Sequence, residues 1–285
     1  MTTRTLLRTI ASIATSDGAG VKLRRSLGSG QALRLDPFLM LDEFYSDNPE
    51  DYLAGFPAHP HRGFETVTYM LDGHMRHEDS LGNRGDLGPG DVQWMTAARG
   101  IIHSEMPQQT QGRMRGFQLW VNLSAKDKMK PASYRDIPAS EIPALALDGG
   151  GEAKVVCGTL RQAQGRATGP AQARSGVSLY VDVRLPAGAL FSAPVEPNDS
   201  AFLYLYEGNA SVGEEDKALP ERAAGVLGLG DSVRVRAAER GARFLLLVGA
   251  PIGEPIVQYG PFVMTSRAEI DQAIADYQSG RFVSA

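Results

Sequence analysis

The sequence predicts an all-β protein made of two copies of one barrel, with a single helix near its end. Three observations lead there. Short runs rich in β-branched and aromatic residues, FETVTYML (64–71), MRGFQLWVNL (114–123), SLYVDVRL (178–185), AFLYLYEG (201–208) and RFLLLVGA (243–250), recur along the 285 residues. Glycine, proline, aspartate and asparagine separate them, and 32 Gly and 17 Pro are spread as punctuation, the pattern of antiparallel sandwiches and barrels rather than of βαβ units. The third observation is an internal repeat.

In the first half TYMLDG (68–73) is followed by GDLGPGDVQWM (85–95) and RGIIHSE (99–105); in the second half LYLYEG (203–208) is followed by GVLGLGDSVRV (225–235) and RGARFLL (240–246). This register matches Gly73 with Gly208, and Gly88, Gly90 and Asp91 with Gly228, Gly230 and Asp231. The glycines fall where tight turns between antiparallel strands need positive φ. It also places Pro194 and Glu196 opposite His59 and His61, and Arg243 and Leu245 opposite His103 and Glu105. All five histidines, His59, His61, His74, His77 and His103, lie in the first copy, so the second cannot build a histidine site.

The helix is expected over SRAEIDQAIADYQSG (266–280), with Ser266 as N-cap, Glu269 completing a capping box and Gly280 as terminator. Ile270, Ala273, Ile274 and Tyr277 form its apolar stripe. RQAQGRATGPAQARSG (161–176) reads as an exposed connector, and residues 128–151 as an irregular crossover. The expected division is therefore 1–130 for the first barrel, 131–176 for crossover and linker, and 177–285 for the second barrel with the helix.

Composition excludes little but orders the alternatives. With 29 basic and 33 acidic residues the net charge is -4, which gives no global field to recruit nucleic acid or an anionic membrane. The lone cysteine, Cys157, cannot form an intramolecular disulfide and reads as a small buried hydrophobe. No secretory signal and no membrane-length apolar run is present, so a soluble cytoplasmic chain, or a nuclear one in a eukaryote, is expected.

The chemistry centres on two pairs. Side chains at i and i+2 of a strand project from one face, roughly 6–7 Å apart, so His59 and His61 point one way, as do His103 and Glu105. If both segments line one barrel, three imidazoles and a carboxylate converge. This N3O donor set suits a divalent transition metal; iron(II) is favoured, with manganese, nickel, copper and zinc as alternatives. Glu65 shares the parity of His59 and His61 if the strand is unbroken, which would turn it toward the pocket, either as a hydrogen-bonding partner of the ligands or in a purely structural role. His77, in MRHEDSLGN, and His74 read as solvated residues, Arg62 and Arg99 as exposed ones. Phe64, Trp94 and Met95 read as core.

The motifs HPHRGFETVTY, RHEDSLGNRGD, PGDVQWMTAARGIIHSEMP, PFLMLDEF (37–44) and GEPIVQYGPFVM resemble the pirin family of the cupin superfamily, over residues 34 to 280. The resemblance implies a bicupin of two stacked β-barrels with one mononuclear metal, usually iron, in the amino-terminal barrel, held by His59, His61, His103 and Glu105. General cupins begin their second motif with proline before the glycine; here Ala98 precedes Arg99 and Gly100, as the pirin pattern accepts. The family implies a quercetin 2,3-dioxygenase acting on a flavonol and dioxygen; for that reaction we expect Glu105 to accept the proton of the 3-hydroxyl. The alternative it implies is a metal- and redox-dependent regulator working through a protein partner. A monomer is expected.

Overall fold

The computed structural model describes residues 2–30, 33–173 and 175–283. Strands carry the regular structure, and among the described residues Arg267–Gln278 is the helix longer than four residues. No helix is long and apolar enough to cross a membrane.

The chain forms two compact units. One comprises Ala14–Arg25, Phe38–Ala139 and Ile252–Ala285, the other Met1–Ile13, Ser26–Pro37 and Ser140–Pro251. The linear division at 130 and 176 is therefore redrawn at both ends. Leu6–Ala11 pairs with Ala223–Leu227, because Leu6 and Ile10 bury one face of that strand. The final helix packs Ile270 and Ala273 against Phe262, Met264 and Phe282 of the histidine-bearing unit. Its capping box between Ser266 and Glu269 is present, and Gly280 follows it with φ of 72°. Ile274 joins the buried face, whereas Tyr277 stays 42% exposed.

The expected connector at 161–176 is partly a hairpin, Glu152–Gln162 pairing with Gly165–Thr168; residue 174 lies outside the described residues. Leu160 and Ala167, directly opposite each other across the two strands, bury its inner face. Cys157 is buried as expected.

In the histidine-bearing unit a sheet runs in the order Ser133–Ile137, Val92–Thr96, Phe64–Asp72, Met114–Asn122, Phe38–Ser46, Val21–Arg25. A second sheet runs Phe56–His61, Ile101–Pro107, Met75–Asp79, Arg84–Leu87. Val21, Leu23, Phe44, Met70, Met75, Leu87 and Met114 form one apolar core of this unit. In the other unit Ser200–Val212 lies between Ala223–Leu227 and the end of the long strand Ser232–Gly249, whose start pairs with Leu190–Pro194.

Matching the units strand by strand corrects the repeat register. Gly100 (φ 147°), just before Ile101–Pro107, corresponds to Gly230 (φ 151°), just before Ser232–Gly249. His103 pairs with His59, and Val233 pairs with Ala193. The counterparts of the four candidate ligands are thus Ala193, Val195, Val233 and Val235, not Pro194, Glu196, Arg243 and Leu245. The glycine-rich motif misled because it marks a turn type that recurs at several hairpins. The corrected positions belong to the apolar core of their unit, so that barrel is filled with hydrocarbon where the first carries imidazole.

The strands Phe56–His61 and Phe64–Asp72 are separated by Arg62 and Gly63. Gly63 has φ of 94°, and a Cβ there would lie 1.9 Å from the Val263 carbonyl oxygen. Buried Lys128 holds this corner, its Nζ donating to the carbonyls of Gly63 (2.7 Å) and Val263 (2.9 Å) and to Asn122 Oδ1 (2.6 Å). Gly63→Ala is expected to lose about 1–3 kcal/mol from backbone strain alone, with a further cost from the overlap. Denaturant unfolding followed by tryptophan fluorescence checks this; an unchanged midpoint would contradict it.

Candidate metal centre

Alternation builds the centre. Along Ile101–Pro107 residues Ile101, His103 and Glu105 are buried while Ile102, Ser104 and Met106 are part-exposed, so His103 and Glu105 face inward. The antiparallel register sets His103 directly across from His59 and Ile101 across from His61, and a bulge follows before Glu105 meets Phe56. Directly opposed Cβ atoms stand roughly 4.5–5.5 Å apart, close enough for the rings to meet. The His59 and His103 ring centroids lie 4.4 Å apart, those of His61 and His103 4.9 Å.

One nitrogen from each of His59, His61 and His103 lies within 4.8 Å of the other two, and the Nε2 atoms of His59 and His61 are 3.0 Å apart. Ligands each about 2.1 Å from one ion stand up to ~4.2 Å from each other, so a small closure suffices. His59 Nδ1 lies 2.8 Å from the Pro57 carbonyl; a proton there leaves Nε2 as a lone pair. His103 Nε2 is buried with no hydrogen-bond partner, as a nitrogen awaiting an ion would be. Burial, followed by the neighbouring histidines, holds His61 and His103 well below the usual histidine range. Both are therefore neutral at pH 7, the form that ligates. The residues fit a divalent transition metal.

Glu105 stands outside the three-histidine cluster. Its Oε1 lies 2.9 Å from Thr68 Oγ1 and its Oε2 accepts from Gln118 Nε2 at 3.1 Å. Thr68 Oγ1 also lies 2.6 Å from Gln118 Oε1. Glu65 is placed differently from the expectation. The break at Gly63 resets the parity, and within Phe64–Asp72 Glu65 lies on the face opposite Thr68, accepting from Thr96 Oγ1 at 2.6 Å. It is fully buried.

Two further expectations change. His77 is not solvated: its side chain and that of Asp79 are both 0% exposed, 3.2 Å apart, and His77 Nδ1 lies 3.2 Å from His103 Nδ1. The signal was present in MRHED, whose i and i+2 positions Met75, His77 and Asp79 alternate with the polar Arg76 and Glu78, the same spacing that exposed the ligand pairs. Arg62 is 4% exposed. It donates through Nε to the Arg99 carbonyl, through one amino group to Asp276 Oδ2 at 2.7 Å, and through the other to the Phe282 carbonyl at 3.4 Å. Its guanidinium also lies 4.4 Å from the centre of the Phe282 ring. One side chain thus fastens the turns next to both ligand strands to the C-terminal helix. Ala98 adopts φ of 43°, which proline, fixed near −65°, cannot; this explains the alanine where general cupins carry proline.

Around the histidines, Phe64 and Trp120 meet the His61 ring edge-on at 5.0 and 5.1 Å. His59, Gln118 and Trp120 are only half-buried, so the centre opens to solvent on their side. Neither Trp120 nor Gln118 was singled out in the sequence, yet both share the strand face two residues apart.

A three-histidine cluster inside one of two cupin-type β-domains defines a class, the cupins with a single candidate metal centre. Residues 20–121 match the family model Pirin, and residues 180–283 match the Pirin C-terminal cupin domain. The chain belongs to the pirin family. It is 51% identical to a pirin-like protein of Caulobacter vibrioides over 99% of this chain and 100% of that one. It also superposes on a crystal structure of quercetin 2,3-dioxygenase from Acinetobacter baumannii with a TM-score of 0.87 and 34% identity, covering 99% of each chain. A bacterial pirin from Escherichia coli in complex with nickel(II) shares the fold, with a TM-score of 0.65 and 16% identity over 86% of this chain and 99% of that one.

Two outcomes are expected. Because His61 and His103 have lowered folded-state values, the unfolded chain binds more protons below pH ~6.5. Metal-free protein is therefore expected to lose stability as pH falls below that value, by up to about 1.4 kcal/mol per histidine per pH unit. Urea unfolding between pH 5 and 8 measures it; a flat profile would contradict it. Arg62→Ala removes a buried guanidinium that donates to two carbonyls and to the part-buried Asp276, and is expected to cost about 1–3 kcal/mol. Arg62→Lys should recover only part of this, since an ammonium lacks the fork that reaches three partners at once; thermal unfolding reads both.

Proposed function

We propose that this pirin family member is a mononuclear non-haem metal dioxygenase that cleaves quercetin or a related flavonol with O2, releasing carbon monoxide. The observation that carries this reading is the convergence of His59, His61 and His103, with Glu105 on the same inward strand face as His103 and an opening to solvent beside His59. In it, His59, His61 and His103 hold the metal, favoured to be iron(II), and Glu105 is the fourth ligand or its close neighbour. When bound, the metal supplies Lewis acidity toward the substrate oxygen and a redox-active centre for dioxygen.

The chain's own residues bind, orient and move a proton. Trp120 and Phe64 offer aromatic surface beside His61, and half-buried Trp120 flanks the opening through which a planar flavonol would enter. Glu105 is the proton acceptor for the 3-hydroxyl. Thr68 has a single hydroxyl hydrogen but faces two acceptors, Glu105 Oε1 and Gln118 Oε1. When Thr68 donates to Gln118, and Gln118 donates to Glu105 Oε2, a proton on Glu105 Oε1 closes the ring by donating to Thr68 Oγ1. Each of the three side chains then donates once and accepts once. The ring gives the substrate's proton a defined destination, 2.9 Å from Thr68, without solvent.

The test reconstitutes metal-free protein with iron(II), manganese, nickel, copper or zinc and follows quercetin absorbance together with oxygen uptake and carbon monoxide release. Metal-dependent turnover is expected, and loss of turnover in His59→Ala. Glu105→Gln is expected to lower kcat by about 10²–10⁴-fold, the usual worth of a positioned base, with its metal content measured in parallel. Absence of metal-dependent turnover, or full turnover in His59→Ala, would sink the proposal and leave the partner-dependent regulator as the surviving reading.

A further inference from the structure

Asp79, His77 and His103 form a hydrogen-bonded line that reaches the histidine cluster from Met75–Asp79, the strand that flanks Ile101–Pro107 on the side away from Phe56–His61. The line begins at a carboxylate with no freedom. Asp79 Oδ1 accepts from the backbone N–H groups of Leu81 (2.9 Å) and Asn83 (3.1 Å), and Oδ2 accepts from Asn83 Nδ2 (2.8 Å). His77 Nε2 is the fourth neighbour, 3.2 Å from Oδ2. A carboxylate whose two oxygens already face three donors stays an acceptor, so His77 carries hydrogen on Nε2. The ring of Tyr134 stacks on His77 at 4.6 Å and 28°, and Tyr134 is itself fixed by donating to Asp136 Oδ1 at 2.5 Å. The plane of His77 is thus set independently of His103.

Between His77 Nδ1 and His103 Nδ1, 3.2 Å apart, there is room for one proton. If His77 is neutral its Nδ1 is a lone pair, and His103 must donate from Nδ1. His103 Nε2 is then bare. The other arrangement makes His77 an imidazolium and moves the His103 proton to Nε2, where it is buried and has no acceptor; a buried donor without a partner costs about 1–3 kcal/mol. We propose that Asp79 and His77 are positioning residues that fix the proton of His103 on Nδ1, so that Nε2 is presented as a lone pair to the metal site. The inference rests on the metal-centre reading for its purpose but not for its first observable. It assigns a role to the HED of RHEDSLGN, which otherwise looks like solvated surface. Outer hydrogen bonds of this kind orient a ligating imidazole and raise its basicity, and their loss typically weakens metal binding 10–100-fold.

Asp79→Asn is the sharpest probe because it changes hydrogen-bond polarity and little else. The two backbone N–H groups keep the amide oxygen at the Oδ1 position, so the NH2 group takes the Oδ2 position and donates to His77 Nε2, while the Asn83 side-chain amide turns over to offer its oxygen in place of Nδ2. His77 then holds its proton on Nδ1 and donates to His103 Nδ1, forcing the His103 proton onto Nε2. His77→Phe is the second variant; it retains a ring against Tyr134 but removes the acceptor.

Ring-¹⁵N NMR of the metal-free protein reads the tautomers directly, with histidine variants assigning the signals. Wild type is expected to show His103 protonated on Nδ1 only and His77 on Nε2 only, and Asp79→Asn to reverse both. Iron(II) and zinc affinities, by competition with a chromophoric chelator, are expected to fall 10–100-fold in both variants, while thermal unfolding reports whether each variant folds. A wild-type His103 protonated on Nε2, an imidazolium at His77, or folded variants with unchanged tautomers and affinity would overturn the proposal. If wild type shows the expected tautomers but binds neither metal, the metal-centre reading fails while the positioning geometry stands.

Discussion

The centre depends on one antiparallel ladder, the register that sets His59 opposite His103 between Phe56–His61 and Ile101–Pro107. Because side chains alternate, a slip of one residue would turn the histidines of one strand away from those of the other. The register is held at its ends rather than along its length. Arg62 joins the turn beyond His61 to the Arg99 carbonyl ahead of Ile101, and Gly63 and Lys128 hold the next corner. The C-terminal helix enters the same network through Asp276. Residues more than two hundred positions apart therefore constrain the same few side chains.

The ladder brings together groups that would otherwise resist it. Burial and the repulsion of neighbouring imidazoles both oppose a charge on His61 and His103 and keep them neutral. A cluster of lone pairs facing one another is itself unfavourable, and a divalent cation relieves it. The other unit shows the complementary solution. Its equivalent positions are alanine and valine within a continuous apolar core, which stabilises the barrel without any ion. Holding one barrel as scaffold and one as site is how a duplicated fold accommodates polar chemistry at a tolerable cost in stability.

Much of this was legible in the sequence because it rests on local periodicity. The i, i+2 spacing of His59 with His61 and of His103 with Glu105, the glycine punctuation, and the Ser266–Glu269 capping box each depend on neighbours in the chain. What the sequence concealed depends on interruption or on distance. Glu65 was misplaced because the parity of a strand does not survive a left-handed glycine at position 63. Arg62 looks like any exposed arginine until the helix carrying Asp276 is known to return beside it. The repeat register failed at Arg243 because turn motifs report local conformation and not position in a barrel. His77 and Asp79 obeyed the same alternation as the ligands, but the charged residues between them made the segment look solvated.

On the proposed reading, His59, His61 and His103 hold one metal ion in the first barrel. Anomalous diffraction at the metal absorption edge, from crystals of the protein reconstituted with iron(II) or zinc, tests it most directly. A single peak per chain is expected, about 2.0–2.2 Å from one nitrogen of each histidine, and none in the second barrel. No peak beside these histidines, or a peak bound elsewhere in the chain, would contradict it.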